Sequence, residues 1–283
     1  MQRISLGPQP TVLPWYESWF DSPLYHSLYA HRDAREAAAF VDRLTERLPL
    51  PANSAVLDLG CGAGRHARQL SARGYRVLGV DLSAESIRTA KQHEKYGLRF
   101  QRQDMRLPLG VDRFAAVFNL FTSFGYFDDP ADDLAVMENI VRALKPGGWL
   151  VLDYLNVRVA ERNLHPREVI EQDGIVFEIT RWTDATHFFK RIECREGKTS
   201  RAFVERVAKL TLEDFQFMFD LCGLNVERTY GDYQLADFNA DTSPRLVLIA
   251  QEARKGSDRN LGAWAPGATA ANATQSFGSD AQI

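Results

Sequence analysis

The sequence predicts an α/β fold in which a seven-stranded, mostly parallel sheet carries helices on both faces and a small antiparallel β insertion. Three observations predict it. Short apolar runs alternate with amphipathic helical segments from residue 33 to about 154, the pattern of βαβ units and a parallel sheet. A glycine-rich turn follows the first of those runs and opens a helix, and an acidic residue closes the next run. Between residues 175 and 210, three strand-like runs follow one another with no helix between them, which requires antiparallel pairing.

Taken in order, residues 33–48 place Ala37, Phe40, Val41, Leu44 and Leu48 at helical spacing, ending before Pro49. Ser54 to Leu59 reads as a buried strand, and roughly 63–73 as the helix after the glycine turn. Tyr75 to Val80 is the second strand, and Ser83 to about Lys95 a helix opened by Ser83. Leu98 to Gln101 and Phe114 to Phe118 are the third and fourth strands. Asp132 to Leu144 is an amphipathic helix that Pro146 and Gly147 cannot continue, and Trp149 to Tyr154 is the fifth strand. Ile175–Trp182, Ala185–Glu193 and Phe203–Leu210 make the insertion. Thr211, with Asp214 three positions on, opens a helix as an approximate capping box, and Gly223 sits at its C-cap. Asn225–Tyr230 and Arg245–Ala250 complete the sheet.

The domain reading is a 1–32 N-terminal segment, a 33–253 domain with its insertion at about 156–210, and a 254–283 tail. The tail is rich in Ala, Gly, Ser, Thr and Asn and is expected to be disordered, because it buries too little surface to offset its ordering entropy. The 1–32 segment is unusually aromatic, with Trp15, Tyr16, Trp19, Phe20, Tyr25 and Tyr29. It reads as a lid that closes over a ligand and excludes water, or as a helix packed on the core.

With 283 residues, 45% hydrophobic and 25% charged, the chain is of globular composition, not a collagen, coiled coil or wholly disordered protein. A formal net charge of −3 argues against a nucleic-acid partner, which selects a basic face. Cys61, Cys194 and Cys222 have unrelated spacings and make neither a zinc site nor a disulfide framework. No stretch reaches the roughly 18 apolar residues of a membrane span, and the N-terminus lacks a signal peptide's apolar region. The expectation is a cytoplasmic protein with no metal and no membrane contact.

Val56-Leu57-Asp58-Leu59-Gly60-Cys61-Gly62-Ala63-Gly64 sets three alternate glycines between a strand and a helix. There the backbone admits close approach of a ligand, and the helix N-terminus offers free N–H donors. Asp81, ending the next strand, can receive both ribose hydroxyls of an adenosine. Arg65 fills the place of the third glycine in a dinucleotide fingerprint, and the Asp58 anion would repel a pyrophosphate facing it. An adenosine ligand with an ammonium group and no phosphate fits better: S-adenosylmethionine (SAM).

VLDLGCGAGRH, the strand ending GVDLS, QRQDMRLP and LKPGGWLVLD together resemble the motif series of class I SAM-dependent methyltransferases, over roughly 33–155 and again over 211–252. Within that family the chain is similar to small-molecule enzymes with an antiparallel insertion after the fifth strand. The resemblance implies a Rossmann-like core and a set of cofactor contacts. Gly60, Gly62 and Gly64 would border the methionine part, with Asp58 holding its ammonium group. Asp81 would take the ribose and Leu82 lie against the adenine. Asp104 would accept the adenine amino group beside the Met105 N–H, and Asn119 and Leu120 would touch the amino-acid end.

The fourth strand's exit, Asn119-Leu120-Phe121-Thr122-Ser123-Phe124-Gly125-Tyr126, lacks the Asn/Asp-Pro-Pro-aromatic and Pro-Cys boxes of base-modifying methyltransferases. That argues against those two nucleic-acid chemistries; the reading is transfer of the sulfonium methyl to an N or O nucleophile of a small-molecule acceptor, and the rivals are an RNA or protein methyltransferase and a non-catalytic SAM-binding protein. For the acceptor side the candidates are Tyr16, Tyr126 and Arg181. His165 is the candidate base, since an imidazole titrates near neutral pH. Tyr154 is a second candidate, at the carboxyl edge of the sheet where ligands bind in open α/β folds. Cys61 reads as a small filler of the turn.

Overall fold

The protein is described here by a computed structural model covering residues 13–29 and 34–253. The expected disordered tail at 254–283, and positions 1–12 and 30–32 of the N-terminal segment, lie outside the described residues. Two six-residue helices, α1 (Trp15–Phe20) and α2 (Pro23–Leu28), precede α3 (Ala34–Arg47). Then come β1 (Ala55–Leu59), α4 (Arg65–Ala72), β2 (Arg76–Asp81), α5 (Ala84–Lys91), β3 (Leu98–Arg102), β4 (Phe114–Asn119), α6 (Pro130–Ala143) and β5 (Leu144–Leu155). The insertion holds α7 (Val157–Arg162), β6 (Arg167–Gln172), β7 (Ile175–Thr183), β8 (His187–Glu196) and β9 (Thr199–Ala208). The chain closes with α8 (Leu212–Cys222), β10 (Leu224–Tyr230) and β11 (Arg245–Glu252).

The large sheet has the order β10-β11-β5-β4-β1-β2-β3. Its β1, β2, β3, β4 and β5 pair in parallel, and β11 runs antiparallel to both β5 and β10. Such a sheet needs apolar cover on both faces. One face packs under α6 and α8 through Met137, Ile140, Phe215 and Phe219. The other lies under α3, α4 and α5 through Phe40, Val41, Leu44, Leu70 and Ile87. The Thr211–Asp214 capping box is reciprocal, and Gly223 closes α8 at φ +75°, so the sequence signals at both ends of that helix act as written.

The insertion forms a four-stranded antiparallel sheet, β6-β7-β8-β9. Its inner face has a core of its own. Phe177, Ile179, Ile192 and Cys194 pack against Trp19 of α1 and Leu28 of α2. The N-terminal helices therefore lean on the insertion as well as on the main sheet.

Several boundaries differ from the sequence reading: β9 starts at Thr199, four residues before Phe203, β8 ends at Glu196, and α5 ends at Lys91. Strand β5 begins at Leu144, directly after α6, with the Lys-Pro-Gly-Gly turn at its start and Gly147 at φ +72°. Helix α7 and strand β6 lie where no element was expected. β6 reads Arg-Glu-Val-Ile-Glu-Gln and is an edge strand exposed along most of its length, so it lacks the alternation that a half-buried strand would show.

Candidate active site

The carboxyl ends of the parallel strands open into a cleft of about 750 Å³. The β1–α4 turn forms its floor. Gly60 and Cys61 both donate their N–H to Val80 O, at 2.9 and 3.0 Å, which pins the turn to β2. The three glycines of that turn do different work. A Cβ on Gly60 would come within 2.6 Å of Ser123, and one on Gly64 within 2.6 Å of the Phe100 ring, whereas a Cβ on Gly62 would meet no atom within 4 Å. Packing inside the protein accounts for the outer two, and of the three only Gly62 has open space where a Cβ would stand.

Asp81 is the hinge of the floor. Its Oδ2 accepts the Gly62 N–H at 2.8 Å and its Oδ1 the Ser83 N–H at 2.9 Å. A carboxylate offers about four acceptor positions, so room stays for a hydroxyl donor. Burial pushes this carboxyl above its ordinary range, against the lowering effect of the Ser83, Gly62 and Leu82 N–H groups and of His26. Leu82, Asp104, Met105 and Leu120 join Gly60, Gly62 and Asp81 in the wall. Asp104 is also committed to Arg106, which reaches it at 2.7 Å and bridges on to Asp132 at 3.0 Å. Burial raises the Asp104 carboxyl, but the Arg106 hydrogen bonds and charge bring it below its usual value.

Asp58, Gly64 and Asn119 are brought to the same place without lining the cleft; Asp58 and Asn119 stand one residue behind Leu59 and Leu120. Asp58 is buried, and burial, with the Asp81 charge added, pushes its carboxyl up to about 7 despite the Ala67 N–H and Arg65. Asp58 Oδ2 and Asn119 Oδ1 are buried acceptors with no hydrogen-bond partner. Two unmatched acceptor oxygens behind an open glycine fit a ligand whose amino group donates, and the chemistry of SAM meets that test.

At the exit of β4, Phe121 and Thr122 take φ of +63° and +58°, a left-handed conformation that costs a non-glycine residue roughly 1–3 kcal/mol. Asp153 holds them there: its Oδ2 accepts the Phe121 N–H at 2.8 Å and its backbone O the Thr122 N–H at 2.9 Å. Arg245 donates to Asp153 Oδ1 at 2.8 Å and to Thr122 Oγ1 at 2.9 Å, and the Tyr233 hydroxyl donates to Asp153 Oδ2 at 3.1 Å. None of this clamp was legible beforehand, because Asp153 and Arg245 read as ordinary strand positions.

The opposite wall comes from the N-terminal helices and the insertion. Trp15, Tyr16, Phe20, Tyr25 and Tyr29 line it together with Tyr126, Val207 and Glu205. Trp15 Nε1 donates to Tyr126 O at 3.2 Å. Glu205 on β9 accepts from Trp19 Nε1 at 2.6 Å and from the Tyr29 hydroxyl at 3.2 Å. It also pairs with Lys190, its cross-strand neighbour on β8, at 3.6 Å, and Lys190 in turn hydrogen-bonds the Tyr29 oxygen. Glu205 and Lys190 escaped the sequence reading, since opposite charges on neighbouring strands look like an ordinary solvated sheet face. Tyr16 and Tyr126, the acceptor-side candidates, both line the cleft.

Three expected residues are elsewhere. Tyr154 is fully buried, packs on Phe215 and donates to Ala208 O at 2.7 Å. Alternation along β5 explains it: Leu155 reaches the cleft, so Tyr154 points to the opposite face. Burial drives its phenol well up, which unsuits it as a base. His165 and Arg181 sit together in a separate, shallow pocket. There Arg181 pairs with Glu168 at 2.5 Å and donates to His165 O at 3.4 Å. Cys61 is buried, and its thiol is pushed up by burial and by Asp58 and Asp81, in keeping with a filler. Among the described residues no group of His, Cys, Asp and Glu could hold a metal ion, and no helix is long and apolar enough to cross a membrane.

Comparison with known proteins agrees with this geometry. Residues 56–148 match the family model described as a methyltransferase domain. The chain is 27% identical to the Bacillus subtilis (strain 168) protein YqeM over 220 residues, 72% of this chain and 87% of that one. In fold it resembles the crystal structure of a SAM-dependent methyltransferase from Clostridium acetobutylicum ATCC 824, with TM-score 0.68 and 19% identity over 81% of this chain and 96% of that one. It also resembles SAM-bound CalS10, an amino pentose methyltransferase from Micromonospora echinaspora, with TM-score 0.57 and 25% identity over 82% and 98% of the two chains. The matched segment, residues 56–148, spans the glycine turn, Asp81, Asp104 and the strained exit of β4, and the fold around it is that of solved SAM-dependent methyltransferases, so the chain carries a SAM-dependent methyltransferase domain.

Proposed function

We propose that the protein methylates an N or O nucleophile of a small-molecule acceptor held between the glycine turn and the aromatic wall. One observation carries this reading: a single cleft is lined both by Gly62 with Asp81 and by the N-terminal helices with β9. When bound, SAM supplies an electrophilic methyl group. Asp81 would hold the ribose, Leu82 and Met105 the adenine, and the buried acceptors Asp58 and Asn119 would draw the ammonium from behind the turn. Gly62 leaves the room this requires.

The chain's remaining task is to place a nucleophile and keep water out, and such positioning supplies much of the acceleration in a transfer of this kind. Trp15, Phe20, Tyr25 and Tyr126 pack edge-on or tilted against one another, with ring centres 5.1–5.4 Å apart, and make a water-excluding lid. Glu205, partly shielded and already oriented by Trp19 and Tyr29, offers polar atoms where an acceptor hydroxyl or amine would sit. The similarity to an amino pentose methyltransferase supports an acceptor of that size and polarity. The test is turnover of labelled SAM against a panel of small amines and alcohols, amino sugars included. Label transferred only to protein or RNA would overturn the acceptor class.

A further inference from the structure

We infer that Asp21 is a positioning residue for the cofactor: it ties the lid to Asp81 through Ser83, so that ribose binding and lid docking become one event. Asp21 caps the end of α1 and is the residue between the two lid helices that reaches the cofactor half. Its Oδ1 accepts the Ser83 hydroxyl at 2.9 Å and the Glu85 N–H at 2.8 Å. Ser83 is buried and stands at the centre of a chain of hydrogen bonds. Its N–H donates to Asp81 Oδ1, and its hydroxyl oxygen accepts the Ser86 N–H at 3.0 Å as the N-cap of α5. Asp81 continues the chain to the Gly62 N–H.

The start of α5 thus has two caps, Ser83 from its own strand and Asp21 from the lid. A surface helix needs only the first. The second makes sense as a latch, because it is the direct polar link between α1 and the residues that hold Asp81. With Asp21 in place, the Ser83 hydroxyl and N–H are both oriented, and the Asp81 carboxylate is held with its free acceptor positions toward the cleft. With the lid displaced, Ser83 loses the acceptor of its hydroxyl proton and Glu85 the acceptor of its N–H.

This inference rests on the reading of Asp81 as the ribose ligand, and a double-mutant cycle separates the two. SAM is titrated calorimetrically into the full-length wild type, Asp21→Ala, Asp21→Asn, Asp81→Ala and the Asp21→Ala/Asp81→Ala double variant, with folding checked by circular dichroism. Asp21→Ala should weaken SAM by about five- to tenfold, the worth of one or two net hydrogen bonds. Asp21→Asn keeps an acceptor oxygen and should recover most of that loss. In the Asp81→Ala background the Asp21→Ala change should cost less than twofold, since the group it positions is gone; a merely structural cap would cost the same in both backgrounds. As an independent readout, SAM should protect the 13–29 segment from proteolysis in the wild type and not in Asp21→Ala. If Asp21→Ala binds within twofold of wild type, or costs the same with and without Asp81, the latch is wrong while the cofactor site stands. If Asp81→Ala itself binds normally, the cofactor reading fails first.

Discussion

The two walls of the cleft are built by different means. The cofactor wall is assembled from the ends of neighbouring parallel strands: Gly60 and Gly62 after β1, Asp81 and Leu82 at the end of β2, Asp104 and Met105 after β3, Leu120 and Phe121 after β4. Each lies within a few residues of its strand, and the sheet order alone brings them together. The acceptor wall is assembled across the chain. Trp19 and Glu205 are 186 residues apart, Trp15 and Tyr126 111, Tyr29 and Lys190 161. The second is a docked piece with its own core around Trp19, joined to the main sheet by Trp15, Tyr16 and Phe20 and by polar ties.

The largest expected effect follows from that division. Replacing β6 to β9 by a short Gly/Ser linker should abolish methyl transfer and leave the sheet folded, with SAM weakened no more than by loss of the Asp21 tie, as read by transfer of labelled methyl and by calorimetry. Loss of SAM binding from a folded core would show that the two walls are not separable. Next, Gly62→Ala adds a methyl group to the open floor and places a side chain at φ +53°. SAM should weaken by about tenfold or more, while thermal unfolding shifts only a few degrees, since the added strain is about 1 kcal/mol.

On the other wall, Glu205→Ala should do the reverse. It leaves Lys190 and the Trp19 and Tyr29 donors without their shared acceptor, at a cost of roughly 1–3 kcal/mol. A drop of several degrees in Tm is expected, with SAM affinity little changed. Equal effects of both variants on SAM binding would erase the contrast. The smallest effect concerns protons. The Asp58 carboxyl, held at about 7 by burial, must be ionised to receive an ammonium group. Ligand binding would lower it, so SAM affinity should rise as pH increases through that value, by up to about eightfold between about pH 6 and 7.5. Asp58→Asn should flatten the profile, and calorimetry in buffers of different ionisation enthalpy should show a proton released near pH 6.

The same contrast explains what could be read from the sequence. A parallel sheet writes itself as apolar runs between amphipathic helices, and the glycine turn with Asp81 is a local signal in a local context. That signal points to Gly60, Gly62 and Asp81, the resemblance to class I methyltransferases adds Leu82, Asp104, Met105 and Leu120, and all seven line the cleft. The acceptor wall carries no such signal. Six-residue helices have too few turns for periodicity to be judged, and Asp21, Lys190 and Glu205 are charged residues of ordinary appearance whose partners lie far along the chain. His165 and Tyr154 were picked by position after the fifth strand and at its end. The course of α7 and β6 carries His165 and Arg181 away from the cleft, and a shift of one residue along a strand turns Tyr154 into the core.

The central claim is that Asp81 anchors SAM in this cleft, and titrating SAM into the wild type, Asp81→Asn and Asp81→Ala tests it most directly. Two charge-assisted hydrogen bonds, each contributing roughly 1.5–3 kcal/mol, predict that Asp81→Ala weakens SAM by at least about tenfold and by as much as several hundredfold. Asp81→Asn, with one acceptor and no charge, should fall between. A folded Asp81→Ala variant that binds SAM as tightly as the wild type would contradict the account.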